Sequence, residues 1–155
     1  MTSNLARPTR SASLAARIRG PWRIAVAEAS MLPSIAAGDW LLVDPTITRW
    51  PRRGTVVVFR EPGGGELAVK RVAAGPGDRV PFADGILELA EDEAWLLSDA
   101  TDARAAAEGF GEPIDSRRYG PVPLDLLVAR AWFRYGPRRK MGLIPGPAAR
   151  IGPRP

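Results

Sequence analysis

At 155 residues, 45% hydrophobic and 25% charged, the chain is long enough to bury the core of one domain and has the composition of a globular protein. It contains no cysteine and no histidine, which excludes disulfides, thiolate nucleophiles and an internal Ser-His-Asp triad, and would leave a zinc site only carboxylates, a set zinc rarely accepts. The net charge of +5 belongs to the ends: residues 1–23 carry five Arg and residues 136–155 four Arg and one Lys, neither with any acid, so the body between them is acidic by about five charges.

Taken in chain order, the first 20 residues read as a basic extension. Arg17, Arg19 and Arg23 interrupt any apolar core a secretory signal would need, and Ser11 to Arg19 is at most a short basic surface helix. In the first half the longest charge-free stretch, Ala29 to Gly38, is too short to span a bilayer. Trp22 to Glu28 reads as a strand, and Pro33 to Ala37 as one helical turn after the proline. Trp40 to Val43 follows the Gly38-Asp39 turn as a second strand. Thr55 to Phe59 holds three consecutive valines, whose β-branched side chains suit a pleated surface. Leu67 to Ala73 is a further strand, closed by Gly75-Pro76-Gly77-Asp78. Arg79 to Phe82 and Ile86 to Leu89 flank Asp84-Gly85, the expected hairpin turn. Trp95 to Ser98 and Leu126 to Tyr135 complete the strands. Thr101 to Glu108, alanine-rich and preceded by Ser98-Asp99 as a cap, fits a short helix or a loop equally well. The expectation is a mainly β domain of short antiparallel strands and hairpins with little helix over residues 21–136. It lies between the basic extension 1–20 and a basic, Pro/Gly-rich tail, 137–155.

Without histidine, a base for nucleophilic catalysis must be a carboxylate, a tyrosine or a lysine. Arginine, which cannot lose its proton in a protein, outnumbers lysine twenty to two. Lys140 lies among like charges in Arg138-Arg139-Lys140. Lys70 lies in Leu67-Ala68-Val69-Lys70-Arg71-Val72-Ala73, where strand alternation gives it Ala68 and Val72 as face neighbours. Burial there would favour the neutral amine, able to take a proton from a hydroxyl. A strand lysine ordinarily points to water, so position alone does not make Lys70 catalytic. Of seven serines, Ser30 sits in Glu28-Ala29-Ser30-Met31-Leu32-Pro33, where Pro33 holds Leu32 extended and turns the chain sharply out of the strand. Met31, Leu32 and Pro33 are expected to line a groove for an apolar substrate. The plain alternative is a capping serine beside buried Met and Leu.

Ser30-Met31-Leu32-Pro33 resembles the Ser-Met-x-Pro box around the nucleophile of type I signal peptidases. Gly38-Asp39 with Trp40-Leu41-Leu42-Val43 resembles the family's next strand. Lys70-Arg71-Val72 with Gly75-Pro76-Gly77-Asp78 resembles the box of its catalytic lysine, and Asp115-Ser116-Arg117-Arg118-Tyr119-Gly120-Pro121-Val122 its final Asp-Ser-Arg box. The boxes stand in the family's order over residues 22–135. The resemblance implies a signal-peptidase-like β fold and a serine endopeptidase that needs no cofactor and no metal. Ser30 would attack, Lys70 would serve as general base, and the Ser30 N–H would donate to the oxyanion. Asp115, Ser116 and Arg117 would brace the site.

Two positions depart from the pattern. Glu28 stands where the family often has a hydroxyl completing the oxyanion hole. Pro113 stands where it often has a serine orienting the lysine; Ser98 and Ser116 are the candidates to replace it. The membrane anchor is also not recognised, which resembles a smaller branch, the maturation proteases of nickel-type superoxide dismutase. The implied partner is a precursor polypeptide losing an N-terminal extension; nickel would belong to that substrate. Nucleic acid is not expected. The expected location is cytoplasmic, with peripheral membrane contact left open by the basic ends. The competing readings are a self-cleaving repressor of the related Ser-Lys fold, disfavoured because only 29 residues precede Ser30, a module binding nucleic acid or lipid, and a peptidase-like scaffold without activity.

Overall fold

The computed structural model describes residues 23–146 except 108 and 110. The extension 1–20 and residues 147–155 lie outside the described residues. The body is mainly β. In chain order come β1 (Arg23–Ala25), β2 (Trp40–Asp44), β3 (Val56–Arg60), β4 (Leu67–Ala74), β5 (Arg79–Phe82), β6 (Gly85–Glu88), β7 (Glu93–Leu97), the short helices α1 (Asp102–Ala107) and α2 (Ser116–Tyr119), β8 (Val122–Pro123), β9 (Leu127–Gly136) and β10 (Gly142–Leu143). One antiparallel sheet runs β1-β2-β9-β3-β4-β7-β8, with β10 added to β9; β5 and β6 form a separate hairpin.

The valine run explains the centre of this sheet. A strand covered on both faces reads as a continuous apolar stretch, and Val56, Val57, Val58 and Phe59 are all buried. Val56 and Val58 pack with Ile24, Met31, Ile35, Leu41 and Val43. Val57 and Phe59 pack on the other face with Ala68, Val72, Ala94, Leu96 and Val122. The β5–β6 hairpin docks through Val80 and Leu89 onto Ala74 and Trp95, with Phe82 edge-on to Trp95 at a ring separation of 5.3 Å.

Several boundaries differ from those expected. β1 stops at Ala25, although Val26 N–H still donates to Asp39 O at 2.9 Å, so the chain leaves the ladder just before Ala27 and Glu28. Around the proline the structure has a hydrogen-bonded turn, Ile35 N–H to Met31 O, in place of a helical turn over 33–37. The hairpin turn falls one residue earlier than Asp84-Gly85: Phe82 pairs with Gly85, and Ala83 takes the positive φ, 52°. Thr101, not Ser98 or Asp99, caps α1, accepting from Arg104 N–H at 3.2 Å. Beyond residue 136, Arg138–Lys140 forms a 3₁₀ turn and Gly142–Leu143 pairs with β9.

Candidate active site

Ser30 sits in the loop between β1 and β2, which is tied at several points. Gly38 N–H donates to Val26 O at 2.8 Å. The buried Asp39 carboxylate accepts from Ala36 N–H at 2.9 Å and from Arg134, whose guanidinium also donates to Ser34 O at 2.8 Å. Ser30 O accepts from Ala100 N–H at 3.0 Å. The Ser30 N–H has no partner among the described residues.

Lys70 reaches this loop from the centre of β4. It pairs with Val57 of β3, and its neighbours by alternation, Ala68 and Val72, lie in the apolar cluster on that face. Its side chain is buried, 1% exposed, and Nζ lies within hydrogen-bonding distance of Ser30 Oγ, 2.7 Å. Burial holds the amine below the ordinary lysine range; the carboxylates of Glu28, Glu61, Asp115 and Asp99 oppose that shift without reversing it.

The Asp-Ser-Arg segment closes the far side. Asp115 caps α2 and is buried, accepting from Ser98 N–H at 2.9 Å, Arg117 N–H at 3.1 Å and the Arg117 guanidinium at 3.0 Å. Burial pushes its carboxyl up, and these hydrogen bonds outweigh it, leaving the net shift downward. Ser116 Oγ accepts from Leu96 N–H at 2.9 Å. Arg117 is half-exposed and adds a looser contact to Asp102 at 3.7 Å.

Two cavities flank the hydroxyl. One, of about 50 Å³, is lined mostly by apolar groups, Ile24, Val26, Met31, Val58, Leu67 and Val69, and also by Ser30. Met31 reaches it from within the core; Leu32 and Pro33, expected in the same groove, are not among its lining residues. The other cavity, about 290 Å³, contains Ser30 and Lys70 together with Glu28, Glu61, Glu66 and Glu112. Glu28 is exposed and lines both. Pro113 also borders the second cavity.

Sequence reasoning passed over Glu61, Asp39 and Arg134. Burial raises the Glu61 carboxyl's affinity for its proton, against the pull of Lys70. Glu61 follows β3 directly and lines the same cavity as Lys70, although the register sets the lysine opposite Val57. Asp39 and Arg134 gave no signal, being 95 residues apart in the chain.

Comparison with known proteins gives the family. A family model described as signal peptidase, peptidase S26, matches residues 12–106, which include Ser30 and Lys70. The chain belongs to the signal peptidase family. Curated relatives include thylakoidal processing peptidase 1 of Arabidopsis thaliana, 24% identical over 72% of this chain and 41% of the relative. Mitochondrial inner membrane protease subunit 1 of Schizosaccharomyces pombe is 29% identical over 66% of this chain and 68% of its own. Signal peptidase I of Leptolyngbya laminosa is 26% identical over 76% and 70%. The chain thus spans about two fifths of the thylakoidal relative's length. Among the described residues no helix is long and apolar enough to cross a membrane.

Proposed function

We propose that this chain is a serine endopeptidase that removes an N-terminal leader or extension from a precursor polypeptide, with Ser30 as nucleophile and Lys70 as general base. The observation that carries the reading is a buried amine, shifted toward its neutral form, 2.7 Å from a serine hydroxyl. In the acylation step Ser30 Oγ bonds to the substrate carbonyl carbon as its proton passes to Lys70 Nζ. The oxyanion forms beside the Ser30 N–H, whose freedom from the loop's own hydrogen bonds suits that role. Collapse breaks the C–N bond and the leaving amine takes the proton from Nζ. Water then repeats the sequence on the ester, with the same lysine as base. The small apolar cavity beside Ser30 suits a short apolar side chain on the acyl side of the cut.

Glu28 fits this chemistry as an exposed group whose charge reaches Lys70 rather than as an oxyanion donor. Asp115, Ser116 and Arg117 act as a brace: their hydrogen bonds fix Leu96 on β7 and Ser98 just after it, beside the strand of Lys70. The narrower substrate we propose is the precursor of nickel-type superoxide dismutase, whose trimmed N-terminus, not this chain, would hold the metal. Action is proposed in the cytoplasm or peripherally at a membrane. Co-expression with that precursor, reading the product N-terminus by mass spectrometry, is the test. A single new N-terminus that disappears in Ser30→Ala and Lys70→Met supports the reading. Cleavage surviving in either variant overturns the dyad, whereas an active dyad that leaves this precursor intact overturns only the substrate.

A further inference from the structure

Once Ser30 has attacked, and until the leaving amine takes the proton, Lys70 is an ammonium on a buried side chain, and its one hydrogen-bond partner has become a fully substituted ether-type oxygen, a poor acceptor. Among the described residues Nζ bonds only to Ser30 Oγ. The charged groups around it are otherwise engaged or act at a distance. Asp99 holds Arg71, Asp115 holds Arg117 and Ser98 N–H, and Glu28 and Glu61 act through their charge.

One buried polar atom beside Lys70 lacks a partner. Ser98 is 2% exposed, and its Oγ makes no hydrogen bond among the described residues, a costly state for a hydroxyl removed from water. Strand register places it. Arg71 pairs with Leu97 and Val72 with Leu96, and Lys70 and Ser98 follow directly where that ladder ends, in line to face one another. Facing residues of such a pair project to the same side with Cβ atoms about 5 Å apart. Val72 and Leu96, their neighbours on that side, share one cluster. The segment is held still, because Ser98 N–H donates to Asp115 and Ala100 N–H to Ser30 O. Ser116, the other serine buried nearby, is committed to Leu96 N–H.

We infer that Ser98 is a positioning residue for Lys70, its Oγ accepting a hydrogen bond from the Nζ ammonium formed on attack and holding that group aimed at the reacting centre. Ser98 exchanges no proton itself; the proton moves from Ser30 to Nζ and on to the leaving group. This rests on the Ser30–Lys70 reading and names the group that completes it.

The test uses the full chain and p-nitrophenyl acetate as the acylating probe, with the Lys70 Nζ followed by NMR in lysine-labelled protein. Ser98→Ala removes an acceptor that favours the ammonium. It should therefore lower the Nζ titration midpoint, move the acid limb of the acylation rate to lower pH, and slow acylation about tenfold, part of what a positioned base contributes. Ser98→Thr keeps the hydroxyl and should restore all three. Tyr119→Phe deletes the other buried hydroxyl without a partner among the described residues and should leave the limb in place. An unmoved midpoint and limb in Ser98→Ala overturn the inference, as does a shift found in Tyr119→Phe instead. Should Ser98→Ala not fold, Ser98→Gly takes its place with the same outcomes. Acylation that persists in Ser30→Ala and Lys70→Met would instead defeat the Ser30–Lys70 reading, a result distinct from either.

Discussion

Lys70 and Arg71 are neighbours on one strand, both buried, 1% and 4% exposed, and the fold treats them in opposite ways. Arg71 is surrounded by acceptors: a two-pronged contact with Asp99, Gly54 O at 2.8 Å and Pro145 O at 3.0 Å. Lys70, on the other face, has a serine hydroxyl, apolar neighbours on its strand face and carboxylates that act on it only through their charge. A guanidinium cannot shed its charge, so burying it requires a counter-ion and filled hydrogen bonds. An amine can be buried cheaply by becoming neutral. The difference between the two faces is thus a difference between a cation held by its counter-charge and an amine shifted toward its neutral form.

That contrast is most sharply broken by exchanging the residues' chemistry. Lys70→Met should reduce precursor cleavage by about 10⁴-fold or more, as loss of a catalytic base does elsewhere, while the protein still melts cooperatively. Lys70→Arg should be equally inactive because the new group stays charged, and less stable for the same reason; calorimetry and product mass check both. On the other face, Arg71→Met should leave Asp99 buried without its counter-ion and cost about 3–5 kcal/mol, read from denaturant midpoints. The pair replaced together by apolar residues should cost less.

pH separates the two cations without mutation. Cleavage should rise with pH as Lys70 deprotonates, along a limb lying below the ordinary lysine range because burial lowers its pKa. Stability should rise over the same direction. Between the folded pKa and the unfolded value of about 10.4, the unfolded chain binds more protons, so the folded state gains as pH increases and levels off above. Lys70→Met should lack that slope. The smallest effect expected is far from both: Ala83→Gly, relieving the positive φ at the hairpin, should stabilise by at most about 1 kcal/mol, seen as a slightly higher melting temperature.

Much of this arrangement was legible in the residues. The valine run placed β3, alternation put Lys70 on the side of Ala68 and Val72, and the absence of histidine narrowed the base to very few groups. What stayed hidden depends on tertiary contact. Met31 reads as a groove residue because apolar loop residues usually mark one, yet it is both core and cavity wall. Asp99 reads as a cap for α1, but the buried guanidinium of Arg71 outcompetes a helix end that Thr101 already satisfies. Ser98 is one of two serines the sequence offers for the lysine, and only its place just past the β4–β7 ladder, with Ser116 committed to Leu96 N–H, singles it out. The hairpin shifted by one residue because Gly85 is used in a pairing position and Ala83 bends the chain.

The contact from Arg71 to Pro145 O gives the end of the described chain a mechanical part in the site. Arg71 clamps Asp99 as well, and the next residue, Ala100, holds the Ser30 carbonyl. A truncation that removes residue 145 would therefore slacken a strut running from the C-terminal segment to the backbone of Ser30, so tags and fusions belong beyond that point.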